Sequence, residues 1–307
     1  MNKNNNRKFY RRREFSPSPE RPTPLHKHQA FQNDNYEMLK LMLEKGVRET
    51  ELTQCLREQC RRKEPRLDII KLLIHHGAQI YDALGEAMFG NSPITLAIEN
   101  EHVEVFKIFG DLLKTVEGIL ATSRPEAKFS TGAWLDGFDA LEKAVASGNL
   151  EMCALLIELG VDVNFYNEES EGPLTFAPPD PPIVMAIQIQ RLDIVKLLVK
   201  NGAHLNSVFP NGISAFTLAC VRGNLEMVEY MFAYGANINA LDRIFTPLHW
   251  AVHFKYTKLV RFLASNGASS TIKCKPNAEE NNITPIEKTL GNKDIYHFKM
   301  LLYLNDF

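Results

Sequence analysis

The chain has 307 residues, 45% hydrophobic and 23% charged, a composition typical of folded soluble proteins and not of disordered ones. No stretch holds the roughly 18 to 20 consecutive apolar residues that a membrane-spanning helix requires. The polar first residues also lack the apolar core of a secretory signal. We therefore expect no membrane span and a cytoplasmic or nuclear location.

Residues 1–24 form a basic arm that we expect to be disordered. The arm has a net charge of +5, whereas the remainder carries −7, which together give the formal −2 of the whole chain. Such an arm could be a nuclear import signal, a contact to nucleic acid or an anionic membrane, or a solubilising tail. Ser16 and Ser18 each precede a Pro. Phosphorylation there would offset the positive charge, so we predict both as modification sites.

The five cysteines include no CxxC pair, and their odd number argues against both a disulfide framework and a zinc site. Cys153 and Cys220 fall inside apolar blocks, where we predict them to be small buried side chains. No histidine pair is accompanied by a cluster of further metal ligands, so we expect no metal and no cofactor.

A repeated unit dominates the chain after the arm. Each unit has a first apolar block of about nine residues, a turn of two or three residues, and a second block of about eleven residues. The distance from the first residue of a unit to the end of its second block is 21 residues in five units. These units begin at Ser92, Asp139, Pro181, Ser214 and Thr246, and end at Leu113, Gly160, Gly202, Gly235 and Gly267.

Both blocks of the unit predict helices. The second block of the unit from Pro181, "RLDIVKLLVKNG", spaces its apolar residues as one helix face, with Lys196 and Lys200 on the other. Three first blocks begin with Ser or Thr followed by Pro, and most units close at a Gly, which suit a helix start and a helix end respectively. One such helix pair is too small to bury its apolar faces, but stacked pairs share a continuous core.

The stretch "NGISAFTLACVRGNLEMVEYMFAYGANINALDRIFTPLHWAV" resembles the ankyrin-repeat family, with a period of 32 to 33 residues. Weaker copies extend the resemblance over about residues 25–307. The resemblance implies an all-α ankyrin-repeat solenoid of about eight helix-turn-helix units. It also implies a non-enzymatic scaffold that is monomeric by itself and binds a protein or peptide partner.

Several segments depart from this pattern. Inserts stand near residues 114–136 and 165–180, and the second unit has a long turn, "REQCRRKEPR", between its helices. A first unit from Thr23 to Gly46 has an irregular length, and the last unit, "DIYHFKMLLYLNDF", ends without a Gly. We expect that last unit to be a capping repeat.

The stretch "TPLHWAV", Thr246 to Val252, contains the most conspicuous catalytic candidate, His249. In the ankyrin family this Thr and His stitch neighbouring units together through hydrogen bonds, and we predict that structural role here. No phosphate-binding Gly loop, zinc-protease motif or nucleophile elbow is present. We therefore predict no catalytic residues, although a pocket between an insert and the groove would revive an enzymatic interpretation.

In ankyrin geometry the fifth residue of each unit faces the concave side, and residues three to four places further along lie partly on that side. These positions form an apolar stripe, and connecting loops that project as fingers carry aromatic residues. The alternative is that several of these side chains are buried between adjacent helices. We predict a partner-binding surface made of Met185, Ile189, Leu218, Val221, Trp250, His253 and Phe254, with finger residues Phe165, Tyr166, Phe209 and Phe245.

Two further interpretations depend on the family. Asn206 and Asn239 stand at the finger position where ankyrin-repeat proteins are often hydroxylated, although an Asn there also suits a turn. Divergent repeats with inserts are also compatible with an effector of an intracellular pathogen that captures a host factor. A nuclear regulator would contact nucleic acid through the arm alone, so nucleic acid is an unlikely partner of the repeats.

Overall fold

A computed structural model of the chain describes seven ranges: residues 35–80, 92–123, 140–165, 180–209, 212–242, 245–273 and 284–285. These ranges contain thirteen α-helices and one isolated β-bridge, between Val208 and Ser214. The predicted all-α class is therefore confirmed. None of the described helices is both long and apolar enough to cross a bilayer. The basic arm with Ser16 and Ser18, Tyr166 and the C-terminal capping repeat lie outside the described ranges.

The chain divides into two units, residues 1–80 and 81–307. The first contains α1 (Tyr36–Glu44), α2 (Glu49–Arg61) and α3 (Leu67–His75), of which α3 packs against both α1 and α2. The side chain of Asn35 starts α1 by accepting a hydrogen bond from the Met38 amide at 3.0 Å.

The connection between α2 and α3 is shorter than predicted. Residues 57–61 of the expected turn belong to α2, because Leu56 and Cys60 continue the buried face that begins at Leu52. Only residues 62–66 connect the helices, and the Gln59 side chain accepts a hydrogen bond from the Arg66 amide at 3.2 Å. The predicted long turn is therefore wrong over residues 57–61, where the helical spacing of the buried residues continues.

Residues 81–307 contain ten helices in their described ranges. These helices are paired along the chain, so that each repeat has a first and a second helix. These are α4 (Pro93–Glu99), α5 (Val103–Ser123), α6 (Ala140–Ser147), α7 (Leu150–Glu158), α8 (Pro182–Gln188), α9 (Leu192–Lys200), α10 (Ala215–Arg222), α11 (Leu225–Ala233), α12 (Pro247–His253) and α13 (Thr257–Ser265). The first helices α4, α6, α8, α10 and α12 pack side by side in chain order. The second helices α5, α7, α9 and α11 do the same, so equivalent positions of successive repeats become neighbours.

First helices begin as the sequence predicts. Ser92, Ser214 and Thr246 each accept a hydrogen bond from the backbone amide three residues later, at 3.2, 3.3 and 3.4 Å. Pro93 and Pro247 occupy the first helical turn, where no amide is needed. The hydroxyl or amide groups at these starts are buried, so the caps satisfy donors that water cannot reach.

The first predicted insert begins as helix. Helix α5 passes through Leu113, the expected end of its repeat, and continues to Ser123, so it has 21 residues where α7 and α9 have nine each. Leu113 is buried, and the chain has no Gly at this point to end the helix. The first ten residues of the segment 114–136 therefore extend the second helix of this repeat.

Within residues 81–307, the core lies between the first and second helices. It holds apolar residues from all ten of these helices, including Cys153 and Cys220, which have no accessible surface. The prediction that these two cysteines are small buried side chains is confirmed. Burial disfavours the thiolate and raises the pKa of Cys153 to about 12, so this thiol stays protonated at neutral pH.

Three asparagines tie the connections that follow the second helices. Asn206 donates to the Gly235 carbonyl at 3.2 Å and accepts from the Asn237 amide at 2.7 Å, both in the next repeat. Asn239 makes the equivalent pair with Gly267 and Ser269, at 3.0 and 2.7 Å. Asn164 repeats the arrangement one repeat earlier. These carboxamides therefore join successive repeats, and their hydroxylation stays a prediction.

A buried carboxylate also joins two repeats. Asp242, in the connection after α11, accepts hydrogen bonds from the amide of Ser214 at 2.8 Å and from its hydroxyl at 3.1 Å. Both side chains are almost completely buried. Asp242 thus fixes the connection of one repeat against the start of the preceding first helix.

Candidate partner-binding surface

The side chains of α8, α10 and α12 that α9, α11 and α13 do not cover form one surface, which we call the first-helix surface. Counting Pro181, Ser214 and Thr246 as position one, it is formed by positions five, eight and nine of three repeats. Position five is Met185, Leu218 and Trp250; position eight is Gln188, Val221 and His253; position nine is Ile189, Arg222 and Phe254. Because the three helices pack in this order, each position forms a row across the repeats.

Exposure along these rows is uneven. Ile189 and Phe254 expose 41% and 40% of their surface, and Met185, Val221 and Trp250 are half-buried. Arg222, in the row between Ile189 and Phe254, is exposed. The predicted apolar stripe is therefore present as a partly exposed surface, with an arginine at its centre.

Leu218, Phe209 and Phe245 require a correction, because the structure buries them. They expose 6%, 8% and 7% of their surface, so they offer a partner almost no side-chain contact. Leu218 is therefore buried, as the alternative interpretation of the first-helix residues predicts. Of the finger aromatics in the described ranges, Phe165 alone is exposed.

The buried Phe245 packs against Trp250, a residue of the first-helix surface. Its ring meets that of Trp250 edge to face at 5.0 Å between centroids, and it lies 5.6 Å from the ring of His249. Contacts of this kind stabilise a fixed ring orientation. The connecting loop before α12 therefore positions Trp250 instead of reaching towards a partner.

The aromatic cluster around Trp250 is larger than the sequence indicated. Phe254 stacks on Trp250 at 5.9 Å and 13°, and on Tyr256 at 5.7 Å and 24°. His253 meets both Trp250 and Phe254 edge on, at 6.0 and 4.9 Å. Sequence reasoning missed Tyr256. The signal in the sequence was that Tyr256 stands just before a second helix, where two other repeats hold the N-cap residues Asn149 and Asn224.

His249 is a structural residue. It has no accessible surface, its Nδ1 lies 2.7 Å from the Thr246 hydroxyl oxygen, and the Thr246 amide donates to Nδ1 at 3.2 Å. The two residues form a reciprocal cap at the start of α12. A buried ring held in this way cannot reach a substrate.

The first-helix surface changes character along the repeats. At α4 and α6, Lys143 forms an ion pair with Glu99 at 3.4 Å, across the two first helices. In the part of this surface formed by α8, α10 and α12 with their following turns, the exposed residues are mainly apolar, aromatic or basic. Nowhere in the described ranges do three His, Cys, Asp or Glu side chains come together as a metal site would require.

Comparison with known proteins agrees with the packing of these helices. The family described as "Ankyrin repeats (3 copies)" matches residues 56–167 and 183–274, which is more than half of the chain. The Ankyrin repeat and KH domain-containing protein mask-1 of Caenorhabditis elegans is 25% identical over 229 residues, which cover 66% of this chain and 8% of that protein.

Two mouse proteins match shorter stretches. The B-cell lymphoma 3 protein homolog of Mus musculus is 30% identical over 137 residues, covering 44% of this chain and 29% of the relative. Protein phosphatase 1 regulatory subunit 27 of Mus musculus is 40% identical over 65 residues, covering 21% and 42%. The chain thus spans less than half the length of each relative. The family match, together with the stacked pairs of helices, shows that the chain belongs to the ankyrin-repeat family.

Proposed function

We propose that the protein is a non-catalytic scaffold that binds a partner protein or peptide on the first-helix surface. The observation that carries this proposal is the exposure of two apolar residues of this surface, Ile189 and Phe254, the second of which stacks on the half-buried Trp250. Aromatic side chains held in place by neighbouring rings are favoured at interface centres. The rigid stacking of the repeats also lowers the entropy lost on binding.

The relatives support a binding role and no particular activity. The relatives include a regulatory subunit of a phosphatase, a SOCS box protein and a probable E3 ubiquitin-protein ligase. These names differ in activity, and each relative is much longer than the region it shares with this chain. What they share with this protein is the repeats, which is the expected pattern for a binding module.

The test compares two double variants in affinity capture with the full chain as bait. Ile189→Ser with Phe254→Ser removes the exposed apolar residues of the first-helix surface. Leu150→Ser with Tyr234→Ser makes a matched change at exposed residues of the second-helix side. Circular dichroism and urea unfolding establish that both variants keep the fold.

We expect partners captured by the parent and by the second-helix variant to be lost from the first-helix variant. Partners that both variants retain equally, with the fold intact, would assign binding to another surface. The effector alternative requires the lost partner to be a host protein. The nuclear alternative requires nucleic-acid binding through the basic arm, with a steep salt dependence that deletion of residues 1–24 removes.

A further inference from the structure

We propose that the first-helix surface from α8 to α12 selects an acidic peptide that carries aromatic or large aliphatic side chains. This inference rests on the proposed function and specifies the chemistry of the partner.

Charge is the first argument. Residues 182–191, 215–224 and 247–256 cover the three first helices and their following turns, and they contain no Asp or Glu, although the whole chain has a net charge of −2. Their basic residues are Arg191, Arg222 and Lys255. The first helices of these repeats and their turns therefore carry basic and no acidic residues within an acidic protein. The carboxylate of Asp180, just before α8, accepts a hydrogen bond from Gln188 at 2.6 Å.

The position of the basic groups is the second argument. Arg191 is engaged by the Asp193 carboxylate, at 2.7 and 3.0 Å, and by the Gly148 carbonyl. Arg222 is exposed in the row between Ile189 and Phe254, and the exposed His253 and Lys255 flank Phe254 in the chain. Positive charge and exposed apolar surface therefore adjoin in the second and third of these repeats, which complements a peptide that carries both acidic and apolar residues.

The aromatic cluster argues against a cationic partner. A cation binds an aromatic ring through its face. Trp250, Phe254 and Tyr256 already direct faces at one another, because Phe254 is nearly parallel to both of its neighbours. Ring edges carry partial positive charge and favour acceptor oxygens.

A peptide fits this surface better than a nucleic acid. Tight binding to a phosphate backbone requires several Lys or Arg contacts along a continuous track. Here the exposed basic residues are separated by Ile189, Val221 and Phe254, which a phosphate backbone would leave uncovered. Apolar side chains of a peptide would bury that surface.

The experiment uses the full chain and three labelled synthetic peptides. The first repeats Glu-Glu-Leu-Phe, the second replaces each Glu with Gln, and the third replaces each Glu with Lys. Fluorescence anisotropy gives Kd at low and at physiological ionic strength. Arg222→Glu tests the surface. Its control is Lys200→Glu, which makes the same reversal of charge at the exposed end of a second helix.

We expect the Glu peptide to bind more tightly than the Gln peptide, and the Lys peptide to bind most weakly. Arg222→Glu should raise Kd for the Glu peptide by about tenfold, less at higher salt, whereas Lys200→Glu should leave it within about twofold. Equal binding of the Glu and Gln peptides, preference for the Lys peptide, or an equal effect of the two substitutions would overturn the acidic selectivity. So would a failure of the Glu peptide to bind, or tighter binding of a single-stranded oligonucleotide.

The two proposals fail in different ways. Phe254→Ser should weaken the Glu and Gln peptides alike, because it removes apolar contact and no charge. If Phe254→Ser weakens binding while the charge dependence is absent, the surface assignment stands and the acidic selectivity is wrong. If Phe254→Ser has no effect on a peptide that binds, the first-helix surface itself is the wrong site.

Discussion

The ring of Tyr256 lies directly against the backbone of Gly223 in the preceding repeat. A β-carbon on Gly223 would come within 2.6 Å of this ring, and the Tyr256 hydroxyl donates to the neighbouring Val221 carbonyl at 3.4 Å. Gly223 also has a φ of +72°, which L side chains rarely adopt. The positive φ favours glycine here, and the ring from the next repeat leaves no space for a side chain.

The same relationship recurs along the repeats. The turn residue with positive φ is Glycine at 148 and 223, where the next repeat presents Arg191 or Tyr256. It is Glu101 or Gln190 where the next repeat presents an Asn. A large side chain before a second helix therefore coincides with a Gly in the turn it covers.

Gly223→Ala should lower the free energy of unfolding by about 2 to 4 kcal/mol, since it adds overpacking to an unfavourable φ. Gly235→Ala is the matched control, because Gly235 has a φ of +90° and open space around its α-carbon. That control should cost only about 1 kcal/mol. Urea unfolding of both variants gives the comparison.

A second background isolates the contact. With Tyr256→Asn, which other repeats show to be compatible with the start of a second helix, Gly223→Ala should cost no more than Gly235→Ala. An unchanged cost in that background would show that the ring does not constrain Gly223.

Gln190→Gly should raise the free energy of unfolding by about 0.5 to 1 kcal/mol. Gln190 has a φ of +56°, and the following repeat presents the small Asn224 at this point, so replacing the strained residue removes no contact on which the fold depends. Gln188→Gly, at the last residue of α8, is the control and should be destabilising, because it removes the side chain that donates to the Asp180 carboxylate at 2.6 Å. Thermal and urea unfolding should agree; a loss of stability in Gln190→Gly would contradict this account of the turn.

Asn206→Ala should lower the free energy of unfolding by about 1 to 2 kcal/mol, because it breaks two hydrogen bonds between successive repeats. Asn201→Ala is the control, since the Asn201 side chain donates to the Leu197 carbonyl within its own repeat. Hydrogen exchange should show faster exchange at the Asn237 amide, the group that loses its acceptor, in Asn206→Ala alone. Equal protection of that amide in both variants would remove the proposed role between repeats.

Asp242→Ala should cost about 2 to 4 kcal/mol, since it leaves the amide and hydroxyl of Ser214 buried without their acceptor. Asp242→Asn retains an acceptor oxygen and should cost less. The double variant Ser214→Ala, Asp242→Ala should be less stable than Asp242→Ala only by the small cost of the lost helix cap. Both changes remove the same contact, so their effects on the free energy of unfolding should not add. Full additivity in urea unfolding would contradict a direct interaction.

The helical repeat could be predicted from the sequence because its signals are local. The spacing of apolar residues in "RLDIVKLLVKNG" and the Thr246–Pro247 start each act within one helix, and both predicted helices are present. The long turn from Arg57 was predicted wrongly, because the buried face through Cys60 extends α2 to Arg61. The end of α5 was also predicted wrongly, since the helix continues past Leu113 to Ser123. The absence of a terminal Gly was the signal available in the sequence.

The sequence alone determined the family and the register of the repeats, since equal spacing and helix starts depend on neighbours in the chain. His249 is structural as predicted, but its contacts with Thr246 cap a helix within one repeat, and the predicted stitching of neighbouring repeats stays a prediction. Tertiary packing decided which apolar residues remain exposed. Phe245 is apolar and lies in a connecting loop, yet it is buried under Trp250, whereas Phe254, on the same ring cluster, exposes 40% of its surface. Exposure depends on what the adjacent repeat covers, and that neighbour lies about 30 residues away in the chain.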